Sequence, residues 1–269
     1  MLEVMPEHLT EAETEQLRRA VHCLEGNGFS SRLTNLLGRQ VEAAGRALPL
    51  PARKIIARAA EAALGAALRL AIRTIDVKTP PKAAGGMHKA LAAASGAAGG
   101  AFGLAALPVE LPVSTTIMLR SIAQIAREEG EDLAQPEAAL ACIEVFALGG
   151  RTPGESAIES GYFAIRSVLA KTVSESARFL LQRGVADEAA PVLVRLVAQI
   201  AARFGLVVSQ KLAAQAIPVL GAVGGASVNL AFIEHFQKIA RGHFTVRRLE
   251  RAYGADAVRF DYERLRNEK

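Results

Sequence analysis

The stretch GAAGGAFGLAALPVELPVSTTIMLR, residues 96–120, opens with small residues and then isolates one carboxylate, Glu110, between Pro108 and Pro112. Apart from Glu110 it carries no charge before Arg120. Three readings compete for it: a membrane span, a phosphate loop, and a closely packed core helix with a polar site inside. Gly96, Gly99, Gly100 and Gly103 make two overlapping pairs spaced by four, and Gly221, Gly224 and Gly225 repeat the GxxGG spacing. On a helix this spacing aligns small residues and lets a second backbone come close. No Lys-Ser or Lys-Thr follows either cluster and no strand precedes them, so the phosphate loop is set aside. Residues 90–119 carry one charge and residues 212–233 carry none, which is long enough to cross a bilayer. Against a span, glycine and alanine add little hydrophobicity, both runs contain proline, and a central carboxylate costs about 3 kcal/mol on insertion scales. The expectation is therefore two glycine-rich central helices in a bundle, with a transmembrane hairpin as the competing reading.

Composition agrees with helix packing. Of the 269 residues 51% are hydrophobic, yet aromatics are only 5% and Trp is absent, so alanine, leucine and glycine supply the apolar mass. Strands draw instead on β-branched and aromatic residues, and no period-two alternation is evident, so the class is all-α, a multi-helix bundle. A chain of this length buries a full core without cross-links. Cys23 and Cys142 stand far apart without ligand-type neighbours, which argues against a disulfide framework and a metal site. The opening MLEVMPEHLTEAETEQLRRA is acidic and polar rather than a secretory signal, so a cytoplasmic location is expected. The net charge of +5 and pI near 9.5 suit an anionic partner.

Punctuation places the helices. Thr10 with Glu13 is a capping-box pattern and Gly26 a stop, which predicts a helix over 11–25. A second runs from about Ser31 to Pro49. Pro51 then opens a long helix in which Lys54, Arg58, Arg69 and Arg73 fall within about a third of the circumference. Such a basic stripe rests on anionic lipid or is simply solvated. Residues 76–89, with paired prolines and glycines, read as a linker between an N-terminal helical segment (1–80) and the remainder (81–269), the two forming one compact unit. Further helices are expected from near Pro112 to Gly130, from Pro136 to the Gly149–Gly150 stop, and at about 156–182, 188–204 and 207–240. A polar loop covers 151–160, and from His235 onward nine Lys or Arg face five Asp or Glu, a basic tail.

Three blocks together, GLAALPVELPVSTTIMLRSIAQIAREEGEDL, CIEVFALGG and SQKLAAQAIPVLGAVGGASVNLAFIEHFQKIARGHFTVRRLE, resemble the EcsC protein family over roughly residues 90–250. The family takes its name from the third product of an operon encoding an ABC transporter implicated in protein secretion. The resemblance implies a bacterial, membrane-connected setting and transfers no catalytic residue; an ABC transporter or secretion component is an expected partner alongside an anionic membrane surface.

Polar residues on apolar faces mark the candidate site. Glu144 has Leu140, Ala141, Ala147 and Leu148 at helical spacing; Glu110 has Ala106, Leu107 and Val113; Asn229 aligns with Ile233 and Phe236. A buried carboxylate must be paired, hydrogen-bonded or protonated, and Arg120 or Arg151 could supply the cation. Glu234 with Lys238 four residues on reads as a surface ion pair, and the adjoining His235 as packed or solvated. Ser114, Thr115 and Thr116 lack the context of a nucleophile elbow and suit hydrogen bonding near Pro112. The leading expectation is a non-catalytic protein without cofactor, acting at the inner membrane surface, with space for a lipid-like ligand between the glycine helices. The rival is a hydrolase of lipid or peptide using the buried carboxylates. A nucleic-acid partner is not expected, because the basic residues lack interleaved aromatics.

Overall fold

The computed structural model describes residues 8–26, 28–37, 49–75, 107–150, 161–183, 190–215 and 221–268. Helix α1 (Glu11–Glu25) starts where the capping box places it: the Thr10 hydroxyl accepts from the Glu13 backbone N–H, and the Glu13 carboxylate accepts from the Thr10 N–H. Its buried stripe, Leu17, Ala20, Val21 and Leu24, has the spacing of one helical face. Then follow α2 (Phe29–Leu37), α3 (Leu50–Ile75), α4 (Leu107–Glu128), α5 (Pro136–Leu148), α6 (Tyr162–Arg183), α7 (Pro191–Gln215), α8 (Gly221–Tyr253) and α9 (Ala255–Asn267). Among the described residues all regular structure is helical, and the class is all-α.

The centre of the bundle is α5. All of its residues except Glu137 are buried, and it touches α3, α4, α6, α7 and α8. Proline at its first position and glycine just past its end are the terminus signals expected from the sequence. Helix α3 lies against α4 and α7, α1 runs along α8, and α9 closes the far end on α1 and α8. Buried side chains of helices before residue 80 and after residue 106 join one continuous core.

Several expected boundaries move. The predicted break between 204 and 207 is absent, and α7 continues through Gly205 to Gln215. Glycine in a helix costs about 1 kcal/mol relative to alanine. Burial of Phe204, Val207 and Val208 around it outweighs that cost. Helix α4 begins five residues before Pro112 and takes that proline inside its second turn. The hydrogen bond so lost belongs to the carbonyl of Pro108, a solvent-exposed residue, and Ser114 Oγ donates to the Leu111 carbonyl at 3.1 Å. Helix α6 is described from Tyr162, the expected helix start near 156 and the 151–160 loop lie outside the described residues, and α8 runs on to Tyr253. The 76–89 linker and Gly96, Gly99, Gly100 and Gly103 lie outside the described residues. Gly221 and Gly224 fall in the first turn of α8, and Gly225 is buried on it.

Among the described residues, Gly242 and Gly150 make close approaches. A Cβ at Gly242 would sit 2.7 Å from Leu24 Cγ and 3.1 Å from the Ala20 carbonyl, so this glycine sets the α1–α8 spacing. A Cβ at Gly150 would overlap the Arg203 backbone carbonyl, whereas one at Gly205 meets nothing within 4 Å. Gly150→Ala should therefore destabilise by about 1–3 kcal/mol through overpacking. Gly205→Ala should stabilise by about 0.5–1 kcal/mol through helix propensity. Urea denaturation of the two variants checks this pair of opposite signs.

Candidate functional site

Lys211 lies near the end of α7, the most apolar long helix, and is fully buried. Its Nζ donates to Glu110 Oε1 at 2.6 Å and stands 4.8 Å from the Phe232 ring centroid. Burial pushes the lysine below its usual range, and the Glu110 charge and hydrogen bond act in the opposite direction. Helices α4, α7 and α8 thus meet around one dry ion pair. Arg120, expected as the cation for the buried carboxylates, is exposed and stands outside this cluster. It occupies the solvent side of α4 because Leu119, Ser121 and Ile122 fill the inner faces.

Glu144 is buried, as its apolar neighbours predict, but in a different cluster. Burial raises its pKa, while Arg166 on α6 and Arg247 on α8 act to lower it, and Glu250 on α8 raises it further. Around it lies a polar junction. Arg166 makes a two-pronged contact with Glu250 at 2.7 and 3.1 Å and donates to the Tyr162 hydroxyl at 3.1 Å. That hydroxyl lies 2.9 Å from His243 Nδ1. His243 is held well below its usual pKa, first by burial and then by Arg166 and Arg247, so its ring is neutral. Guanidinium only donates, so Arg166 occupies a lone pair of the tyrosine oxygen and the hydroxyl proton turns to Nδ1. The ring proton then sits on Nε2, which is buried without a hydrogen-bond partner among the described residues. Glu25, the last residue of α1, accepts from the Tyr162 backbone N–H at 3.0 Å and from the Tyr262 hydroxyl at 3.0 Å. A carboxylate from one helix therefore caps the start of another.

Five arginines of the basic tail are engaged in ion pairs. Arg247 pairs with Glu131 at 2.8 and 3.0 Å, Arg251 pairs with the same carboxylate, and Arg248 pairs with Glu129 at 2.8 Å. Two cations hold Glu131 below the usual carboxylate range although burial works against it. Arg259 and Arg264 face Glu263 and Asp261 within α9. Glu234 pairs across to Arg32 on α2 at 3.2 Å, a correction to the expected Lys238 pairing. His235 is packed: its Nε2 donates to the Gly149 carbonyl at 2.9 Å and its ring abuts Phe29 and Phe236. Asn229 is buried on α8, and Arg151 lies outside the described residues. On α3, Lys54, Arg58, Arg69 and Arg73 are all solvent-exposed, together with Arg53.

Chemically, the arrangement is rich in ion pairs. Glu110 and Glu144 face different cations, so these two carboxylates do not form a dyad with each other. Burial pushes the Cys142 thiol up to about 12, which removes its nucleophilicity. Among the described residues no group of three or more His, Cys, Asp or Glu side chains is placed to hold a metal. A shallow groove of about 550 Å³ between α1 and α9 has Val21 and Leu265 in its wall and contains neither buried carboxylate. Among the described residues one helix, α7, is long and apolar enough to cross a membrane; of the 212–233 run, residues 212–215 end α7, 221–233 begin α8, and 216–220 lie outside the described residues.

The sequence signals missed two things. Lys211 follows Ser209 and Gln210 and reads as solvated until α7 is known to continue to Gln215. Tyr162 and His243 had no local signature, being 81 residues apart.

In comparison with known proteins, the model of the EcsC protein family matches residues 2–249. The match begins well before the three blocks that carry the resemblance and takes in α1 to α3. No curated protein and no solved structure matches the chain.

Two outcomes follow from this geometry. Lys211→Met leaves Glu110 buried without its cation and should cost about 3–5 kcal/mol. The Lys211→Met/Glu110→Gln double variant should recover part of that loss in a double-mutant cycle, while Arg120→Met stays within about 0.5 kcal/mol of the parent. Acidification tests His243. The unfolded chain protonates it below pH 6.5 and the folded chain does not, so it lowers stability by about 1 kcal/mol between pH 7.5 and 5.5. Glu144, with its raised pKa, acts with the opposite sign, stabilising as pH falls, and is common to the parent and the His243 variant. His243→Asn keeps an acceptor for Tyr162 and cannot titrate. Denaturation at both pH values should show a smaller acid loss for this variant than for the parent.

Proposed function

The chain belongs to the EcsC protein family, and from that premise we propose a non-catalytic helical protein that docks on the anionic cytoplasmic surface of a membrane. The observation that supports the reading is the solvent face of α3. Five basic residues, Arg53, Lys54, Arg58, Arg69 and Arg73, are exposed on this helix, and Glu61 is its single acidic residue. At 1.5 Å per residue the helix is about 39 Å long, enough to lie across many headgroups. Some cations of the other helices are paired within the bundle: Arg247 and Arg248 of α8 meet Glu131 and Glu129, Arg166 of α6 meets Glu250, and Lys211 meets Glu110. Five exposed cations against one carboxylate give α3 a net positive outward face suited to an anionic partner. A transporter or secretion component assisted by this protein would be met at that same surface.

Vesicle sedimentation tests the proposal. The protein should pellet with phosphatidylglycerol-containing vesicles at low salt and be released as ionic strength shrinks the screening length below about 10 Å. Each cation near such a surface contributes about 1 kcal/mol. Reversing Lys54, Arg58, Arg69 and Arg73 to Glu should therefore lower partitioning by roughly two orders of magnitude or more. Undiminished pelleting of the reversed variant, or equal binding to neutral vesicles, would sink the reading.

A further inference from the structure

The outward face of α3 is not uniform along its length. Leu50 is 73% exposed and Ile55 is 40% exposed, and they are the large exposed hydrophobics of this helix. Both lie in its first two turns, interleaved with the exposed cations Arg53, Lys54 and Arg58. Leu50, Lys54 and Arg58 stand at successive i, i+4 positions on one side, and Ile55 neighbours Arg58 at i, i+3. Beyond Ile55 the exposed positions become Ala57, Glu61, Ala62, Arg69 and Arg73, small or charged. A carboxylate at Glu61 resists entry into an apolar phase, whereas lysine and arginine extend their charged ends away from one and bury their stems.

Resting on the membrane-surface reading, we propose that α3 enters an acidic phospholipid bilayer N-terminus first. Leu50 and Ile55 reach the acyl boundary, Lys54 and Arg58 hold the phosphates above it, and the helix from Glu61 onward stays at headgroup level. Aliphatic and cationic side chains alternate here within an axial span of about 12 Å, from residue 50 to residue 58. That spacing fits the short distance between acyl and phosphate layers. A nucleic acid would engage the cations and leave the two aliphatic side chains in water.

The absence of tryptophan from the chain makes the test direct, since one introduced Trp reports alone. The full-length Leu50→Trp, Ile55→Trp and Ala62→Trp proteins are mixed with vesicles of equal phosphatidylglycerol and phosphatidylcholine, with or without brominated acyl chains. Ala62 follows Ile55 by seven residues on nearly the same face. The expected result is blue-shifted, bromine-quenched emission at positions 50 and 55, and unquenched emission at position 62, with all three proteins pelleting. Proteins that pellet without quenching at 50 and 55 overturn insertion and leave surface binding standing. Equal quenching at 50, 55 and 62 overturns the N-terminus-first geometry. Failure of all three, and of the parent, to pellet overturns the membrane reading itself. In parallel, Leu50→Gln/Ile55→Gln should keep the helical circular-dichroism spectrum and bind the same vesicles several-fold more weakly; unchanged affinity in a folded variant counts against the proposal.

Discussion

A helix buried on nearly every side dictates how the rest of this protein is arranged. Helix α5 exposes only Glu137 among its thirteen residues, so five neighbouring helices must enclose it for its burial to be realised. Its ends are equally constrained. Gly149 lies against Phe236 and His235, and Gly150 against the backbone of Arg203, so the exit of α5 is pressed between α7 and α8. Because Glu144 sits inside that enclosure, water cannot stabilise its charge. The arginines acting on it, Arg166 and Arg247, come from the surrounding helices α6 and α8.

Charge compensation inside the bundle follows two patterns with different consequences. At Glu110 and Lys211 a single dry pair joins α4 to α7, with Phe232 of α8 lending its ring face. Such a pair contributes little net stability relative to apolar residues of similar volume, yet its loss on one side leaves an uncompensated buried charge. Around α8 the pairs are partly solvated and shared: Glu131 serves two arginines, and Glu129 serves Arg248 and the Thr245 hydroxyl. These contacts tie the long helix to the turn between α4 and α5. They also engage Arg247, Arg248 and Arg251 of the basic tail, while α3 carries five exposed cations against one carboxylate. Its cations and its exposed aliphatics are the basis of the proposed membrane contact.

Local chemistry made much of the fold legible. The Thr10–Glu13 capping box, the Pro136 start and the Gly149 stop operate over three to five residues, and each stands where the sequence places it. The inward positions of Glu110, Glu144 and Asn229 were visible for the same reason, since helical periodicity alone puts them on apolar faces. The solvent-facing character of Lys54, Arg58, Arg69 and Arg73 belongs with these.

What the sequence by itself determined is therefore the helical class, the helix termini marked at Thr10, Pro51, Pro136 and Gly149, and the inward turn of Glu110, Glu144 and Asn229. Only the tertiary structure decided which charges meet. Glu110 finds Lys211 across 101 residues, and Tyr162 finds His243 across 81, distances over which no spacing rule ranks one partner above another. Arg120 lost its expected place because the side of α4 on which it falls faces water once α3, α5 and α8 cover the others. The continuation of α7 through Gly205 was likewise a tertiary decision. Glycine weakens a helix by about 1 kcal/mol, and only the packing of Phe204, Val207 and Val208 against neighbouring helices exceeds that deficit.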